Sequence, residues 1–118
     1  MVEVQNDTIH LSRGDKAQIE LTIDDYTFKS GDIIRFRVYR KNELNNPPLL
    51  DKEFTVDADS DSFDIILTSE DTKIGEMDNK RIEYWYEIEL NGEQTILGFD
   101  RNGAKKLLLY PEGADSIW

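Results

Sequence analysis

Hydrophobic residues along this chain recur at every second position, the spacing of a strand buried on one face. In AQIELTI, Ala17, Ile19, Leu21 and Ile23 share one face, and Gln18, Glu20 and Thr22 take the other. IIRFRVYR sets Ile34, Phe36 and Val38 against Arg35, Arg37 and Tyr39. The longest run is IEYWYEIEL. There Ile82, Tyr84, Tyr86, Ile88 and Leu90 alternate with Glu83, Trp85, Glu87 and Glu89. Phe54 and Val56 mark a strand, as do Phe63, Ile65 and Leu67. TIHLS (Thr8–Ser12), TILGF (Thr95–Phe99) and KLLLY (Lys106–Tyr110) bring the expected number to eight.

The connections carry turn chemistry. Arg13-Gly14-Asp15 separates the first two strands, and Lys29-Ser30-Gly31-Asp32 leads into the third. Asn45-Asn46-Pro47-Pro48 cannot lie in a central strand, because proline donates no ladder hydrogen bond. Asn91-Gly92 and Asn102-Gly103 offer the positive φ values of tight hairpins, which predicts an antiparallel meander of the last three strands. TSEDTKIGEM (Thr68–Met77) breaks the alternation. Ser69 is a candidate cap for one short helical turn ended by Gly75. The pattern predicts an all-β chain folded as a sandwich or small barrel. It forms one domain over 1–118, with an ordered core of about 8–110 and a tail from 111.

Composition narrows the functional classes. Twenty-five acidic residues against 14 basic ones give a formal charge of −11, a field that repels nucleic acid and anionic membranes. Cysteine is absent, which removes disulfides, thiolate metal sites and thiol nucleophiles and fits folding in a reducing cytoplasm. The N-terminal MVEVQNDTIHL lacks the basic and apolar regions of a signal peptide, and no run approaches the ~18 apolar residues of a membrane span.

VDADSDSFDII places Asp57, Asp59 and Asp61 on alternate residues, with Asp64 close behind. These fill the first three ligand positions of a helix–loop–helix calcium site. Ser62 replaces the required glycine, Thr68 stands where the closing glutamate belongs, and the flanks are strands. The competing reading is a solvated hairpin connection, in which aspartate tolerates turn conformations. That reading is preferred, and no cofactor is expected. Arg13-Gly14-Asp15 spells an integrin-binding tripeptide but equally describes a turn. His10, the only histidine, alternates with Ile9 and Leu11 and is expected to face solvent from an edge strand. No nucleophile elbow, phosphate-binding glycine loop or H-E-x-x-H run is present, so catalysis is not expected.

Arg35, Arg37 and Tyr39 form a basic and aromatic strand face; Glu83, Trp85, Glu87 and Glu89 form an acidic one. If the two strands are neighbours, these charges pair across the sheet, with Tyr39 packing against Trp85. Trp, Tyr and Arg are also favoured anchors for protein docking. Arg35, Arg37, Tyr39 and Trp85 are therefore the candidate docking residues, and Trp118, an apolar residue at the end of the chain, is a further one.

The succession IHLSRGDKAQIELTI, GDIIRFRVYRK, KEFTV, IILTSEDT, IEYWYEIEL and TILGFDRNGAKKLLLYPEG covers about Ile9–Gly113. It resembles small proteins of tailed phages and prophages of Firmicutes, and is similar to the N-terminal immunoglobulin-like domain of phage baseplate upper proteins. The sequence departs from that pattern at Asp78-Asn79-Lys80-Arg81, where a glycine usually precedes the aromatic strand. The resemblance implies an antiparallel immunoglobulin-like β-sandwich of about seven to eight short strands. It also implies a non-enzymatic role in a tail or baseplate through contacts with other virion proteins, with self-assembly into a homo-oligomer open. Its location would be the host cytoplasm during assembly and the virion afterwards. The alternative class is a carbohydrate- or ligand-binding β-module, stabilised by calcium at Asp57, Asp59 and Asp61.

Overall fold

The computed structural model describes residues 1–117 and contains nine strands with no helix among them. These are β1 (Val2–Gln5), β2 (Thr8–Ser12), β3 (Ala17–Leu21), β4 (Ile33–Arg40), β5 (Leu50–Thr55), β6 (Phe63–Leu67), β7 (Ile82–Leu90), β8 (Gln94–Leu97) and β9 (Lys105–Tyr110). The large sheet runs β1-β2-β9-β7-β4-β5, with β8 also paired to β7, and the small one holds β3 and β6 alone. The all-β expectation holds. The strands with the cleanest alternation, β2, β4, β6 and β7, start and end where that alternation does.

The two sheets bury one apolar cluster between them. Ile34, Phe36 and Val38 of β4 are fully buried, as are Ile9, Leu11, Tyr84, Tyr86, Ile88, Leu107 and Leu109 of the neighbouring strands. Ala17, Ile19 and Leu21 of β3, with Ile65 and Leu67 of β6, close the cluster from the other side. Phe28 is fully buried beside them and touches Tyr26 edge-on. The outward residues of the small sheet, Gln18, Glu20, Asp64 and Ile66, are exposed.

Several expectations are corrected. A ninth strand, β1, precedes those predicted; only Val2 and Val4 are apolar in it, and both stay more than a third exposed. The last three strands are not a meander. β9 leaves β8 and pairs with residues 82–86 of β7, while β8 holds residues 88–90 of the same edge, with a register shift between Ile88 and Glu89. The other edge of β9 lies parallel to β2, so the large sheet is mixed. His10 is 8% exposed because β2 lies between β1 and β9, and its Nδ1 is 2.9 Å from the Tyr110 hydroxyl. Asn91 and Gly92 both have positive φ, as a primed hairpin requires, but in the later pair only Gly103 does.

The 68–77 segment is a turn without a helix, and its cap is Thr68, not Ser69. The Thr68 amide donates to the Asp71 carboxylate (2.8 Å) and the Asp71 amide donates to Thr68 Oγ1 (3.1 Å), the reciprocal bonding of a capping box. The Asp71 carboxylate also pairs with Lys52. Arg13 reaches across to donate to the carbonyls of Lys73 (3.2 Å) and Ile74. Gly75 then turns with φ +62°, hard against the Tyr84 ring.

A Cβ at residue 75 would stand 1.9 Å from the Tyr84 hydroxyl, and the ring is fully buried and cannot yield. Gly75→Ala therefore costs about 3 kcal/mol in urea denaturation, from overpacking and the strained φ together. Among the described residues the buried Tyr84 hydroxyl has no hydrogen bond of good geometry, the backbone of Glu76 being its polar neighbour. Tyr84→Phe is accordingly neutral or stabilising; a loss above about 1 kcal/mol would mean the hydroxyl has a partner after all.

Candidate functional site

The outer face of the large sheet carries the predicted docking residues, and the β4–β7 register brings them together. Arg35 stands opposite Glu89, Arg37 opposite Glu87 and Tyr39 opposite Trp85. On the far side of β4, Arg37 stands opposite Asp51 of β5. Because β4 lies between β5 and β7, Arg37 meets carboxylates from both sides, whereas Arg35 meets one, from β5. Arg35 forms a fork to Asp51 at 2.7 and 2.8 Å. Arg37 pairs with Glu87 (3.1 Å), Glu89 (3.0 Å) and Asp51 (3.6 Å). Of the cross-sheet pairing expected from the sequence, Arg37 with Glu87 and Glu89 is present, whereas Arg35 takes Asp51 of β5 and Tyr39 bonds Glu87.

The electrostatics follow from this geometry. The Arg35 fork holds the Asp51 carboxyl below its usual range, and Asp51 in turn raises the Arg35 guanidinium. Burial works against the Arg37 charge, but Glu87 and Glu89 outweigh it and leave its pKa raised. Tyr39 is 7% exposed and donates to Glu87 at 2.8 Å. Burial first, then that hydrogen bond, pushes its hydroxyl up to about 12. Arg37 and Tyr39 are thus committed inside the sheet surface. Arg35 is more open, with 40% of its side chain exposed, yet it too has a carboxylate partner.

Trp85 remains half-buried with its indole N–H on Glu83 (2.9 Å). Against it stands Phe99, 65% exposed, with ring centroids 6.1 Å apart. Phe99 was not among the sequence-predicted docking residues. Its alternation with Leu97 suggested one more strand residue, whereas β8 ends at Leu97 and Phe99 enters the following turn. That turn is firmly built. Asp100 and Gly103 exchange backbone bonds of 3.0 and 2.9 Å, and the Asp100 carboxylate accepts from the Asn102 amide (2.8 Å) and Lys105 (2.7 Å). Lys105 and the Asn102 amide together keep the Asp100 carboxyl low. Trp118 lies outside the described residues. The segment before it touches the body: buried Ser12 donates to the Ala114 carbonyl.

The acidic stretch connects β5 of one sheet to β6 of the other, so it is an inter-sheet crossing and not a hairpin. Its aspartates tie this crossing to residues 27–30. Asp59 accepts from the Ser30 amide (2.9 Å), Asp61 from the Thr27 hydroxyl (3.1 Å), and the Asp57 carbonyl from the Ser30 hydroxyl (3.0 Å). Among the described residues, no group of three or more His, Asp or Glu side chains is placed to hold a metal ion. In the Arg13-Gly14-Asp15 turn, Arg13 is spent on backbone carbonyls and Asp15 on the N-terminal ammonium. No protein-family model matches the sequence, and no curated protein matches it.

Two predictions follow from the charge ladder. Arg37→Met leaves three partly buried carboxylates facing one another and costs about 2 kcal/mol, and the loss shrinks when Glu87→Gln and Glu89→Gln accompany it in a mutant cycle. The second concerns acid. Asp32, Asp51, Glu76 and Asp100 are all held below their ordinary values by hydrogen bonds and cationic neighbours. Asp71 is low as well, its burial outweighed by Lys52 and Thr68. Depressed carboxylates stabilise the fold above their unfolded pKa and lose that contribution as pH falls through the folded value. The urea midpoint should therefore hold from neutrality to about pH 5 and drop below about pH 4. A midpoint unchanged down to pH 3 would contradict the pairing.

Proposed function

We propose that this protein is a non-enzymatic assembly component of a phage or prophage particle, of the tail or baseplate kind, that works by docking to other virion proteins. The observation that carries the docking reading is the Trp85–Phe99 pair, two aromatic rings in tilted contact on an outer sheet face whose arginines are already paired. An aromatic anchor offered on a rigid turn, ringed by satisfied polar groups, has the makeup of an interface hot spot. Neutralised charges beneath it lower the desolvation cost of covering that face.

The phage assignment rests on the ordered run of motifs from Ile9 to Gly113. The strand order supports the immunoglobulin-like reading of the fold. What supports it is the β9-β7-β4 row facing the β3-β6 pair across one core. Nothing in the outer face asks for a catalytic role. Arg35, Arg37, Tyr39, Glu87 and Glu89 there are spent on one another or on Asp51, whereas catalysis needs a convergent group left free to act.

Phe99→Ser tests the reading. Phe99 is largely exposed, so the variant keeps its stability within about 0.5 kcal/mol. In particles purified from the source strain after prophage induction, the wild-type chain co-sediments with the particle and Phe99→Ser does not. Particles that lack the wild-type chain would remove the proposal, and a glycan array bound by the wild type but not by the variant would replace it with a carbohydrate-binding role.

A further inference from the structure

The small sheet ends early. β3 pairs with β6 along one edge and with no strand of the described residues along the other, while seven strands fill the opposite sheet. Every second residue of β3 therefore directs its backbone N–H and C=O away from β6 with no ladder partner, the arrangement that recruits another strand. Two hollows lie near this edge, between the small sheet and the large one. A groove of about 670 Å³ runs between Ile23–Tyr26 and residues Leu90 and Gln94–Ile96. It adjoins a smaller hollow of about 110 Å³ alongside Ile19–Thr22, lined also by Ile88 and Leu97 of the large sheet and by Val4 and Asp7 of the β1–β2 hairpin. Apolar Ile88, Leu90, Ile96 and Leu97 share the lining with Thr22, Gln94 and Thr95, and the charged residues lining the two hollows are Asp7, Glu20, Asp24 and Asp25, all acidic. None of these four belongs to an ion pair among the described residues, although most of the cations elsewhere on the surface do.

We propose that the free edge of β3 receives an extended segment of a partner protein, which adds as a third strand of the small sheet. Its apolar side chains, at alternate positions, cover half-buried Ile96 and Leu97 at the edge of the core. Its intervening Lys or Arg side chains meet Glu20, Asp24 and Asp25 at the rim. Main-chain bonds supply affinity in such strand addition, and the alternate side chains supply specificity. A second copy of this chain is the wrong occupant: pairing β3 with β3 would set Glu20 against like charge, between molecules that each carry −11. The surface is separate from the Trp85–Phe99 face, which lies on the other side of the large sheet, so it adds a second contact to an assembly role.

The test uses the whole chain and two capped peptides, one of four Val-Lys repeats and one of four Val-Glu repeats, followed by amide NMR. The Val-Lys peptide shifts the amides of residues 18–25 and slows hydrogen exchange at alternate β3 amides; the Val-Glu peptide does neither. The triple variant Glu20→Gln, Asp24→Asn, Asp25→Asn binds the Val-Lys peptide roughly tenfold more weakly. Asn tolerates the positive φ of residue 25, so this variant keeps its fold. Trp85→Ala leaves the peptide affinity unchanged, which separates this edge from the outer face. The proposal fails if both peptides bind alike, if shifts scatter over the acidic surface outside the groove, if the triple variant binds as tightly as the wild type, or if no binding occurs up to about millimolar peptide.

Discussion

The pairing of β4 with β7 is the constraint on which the rest depends. Seven residues of each strand face one another in unbroken antiparallel register, from Ile34↔Leu90 to Arg40↔Tyr84. A slip of one residue would turn every side chain of a strand to the wrong face. Here both faces resist it. Inward, the slip would replace fully buried Phe36 and Val38 with arginine; outward, it would separate Arg37 from Glu87 and Glu89. Each salt bridge is individually modest, since all are partly wet. Their value lies in selecting the register that the apolar core already favours.

From that pair the sheet grows unequally. The outer edge of β7 is shared end to end, β9 taking its first half and β8 its second, and the register shift at Ile88/Glu89 marks the join. Sharing an edge forces the chain to turn back between β8 and β9 over the outer face, and Phe99 sits in that turn against Trp85. At the other margin, β2 runs parallel to β9 and carries β1 with it. Strands from the start of the chain are thereby spent on the large sheet; β1 comes near β3 without pairing to it, and that edge of β3 keeps no ladder partner among the described residues.

Much of this was legible from alternation alone, because a strand buried on one face must repeat every two residues. β4, β6 and β7 were bounded correctly for that reason, and facing strands of opposite charge announced the Arg37–Glu87 contact. What alternation cannot express is which strand lies beside which. The position of β9 between β2 and β7 depends on contacts nearly a hundred residues apart, and this alone decides that His10 is buried beside Tyr110. β1 carried too few apolar residues to register. Phe99 was hidden differently: its spacing read as one more strand residue, and the Asp100–Gly103 turn that lifts it out is fixed by a polar side chain binding its own backbone. The aspartates of 57–61 were read as a solvated hairpin connection, but alternation could not show that the segment crosses between sheets, where their carboxylates or carbonyls bond residues 27–30.

Charge is distributed by the same logic. The chain has far fewer cations than anions, and Arg35, Arg37, Arg40, Lys52 and Lys105 are each held by a carboxylate across a strand pair or a turn. Cations spent this way leave the uncompensated anions where no strand pairing draws on them, and the open edge of β3 is such a place. The outer sheet face therefore ends nearly neutral and aromatic, while the margin of the small sheet ends acidic beside half-buried Ile96 and Leu97. Surfaces so different select different partners: the first favours a desolvated apolar contact that is insensitive to salt, the second a cationic segment whose capture weakens as salt screens it.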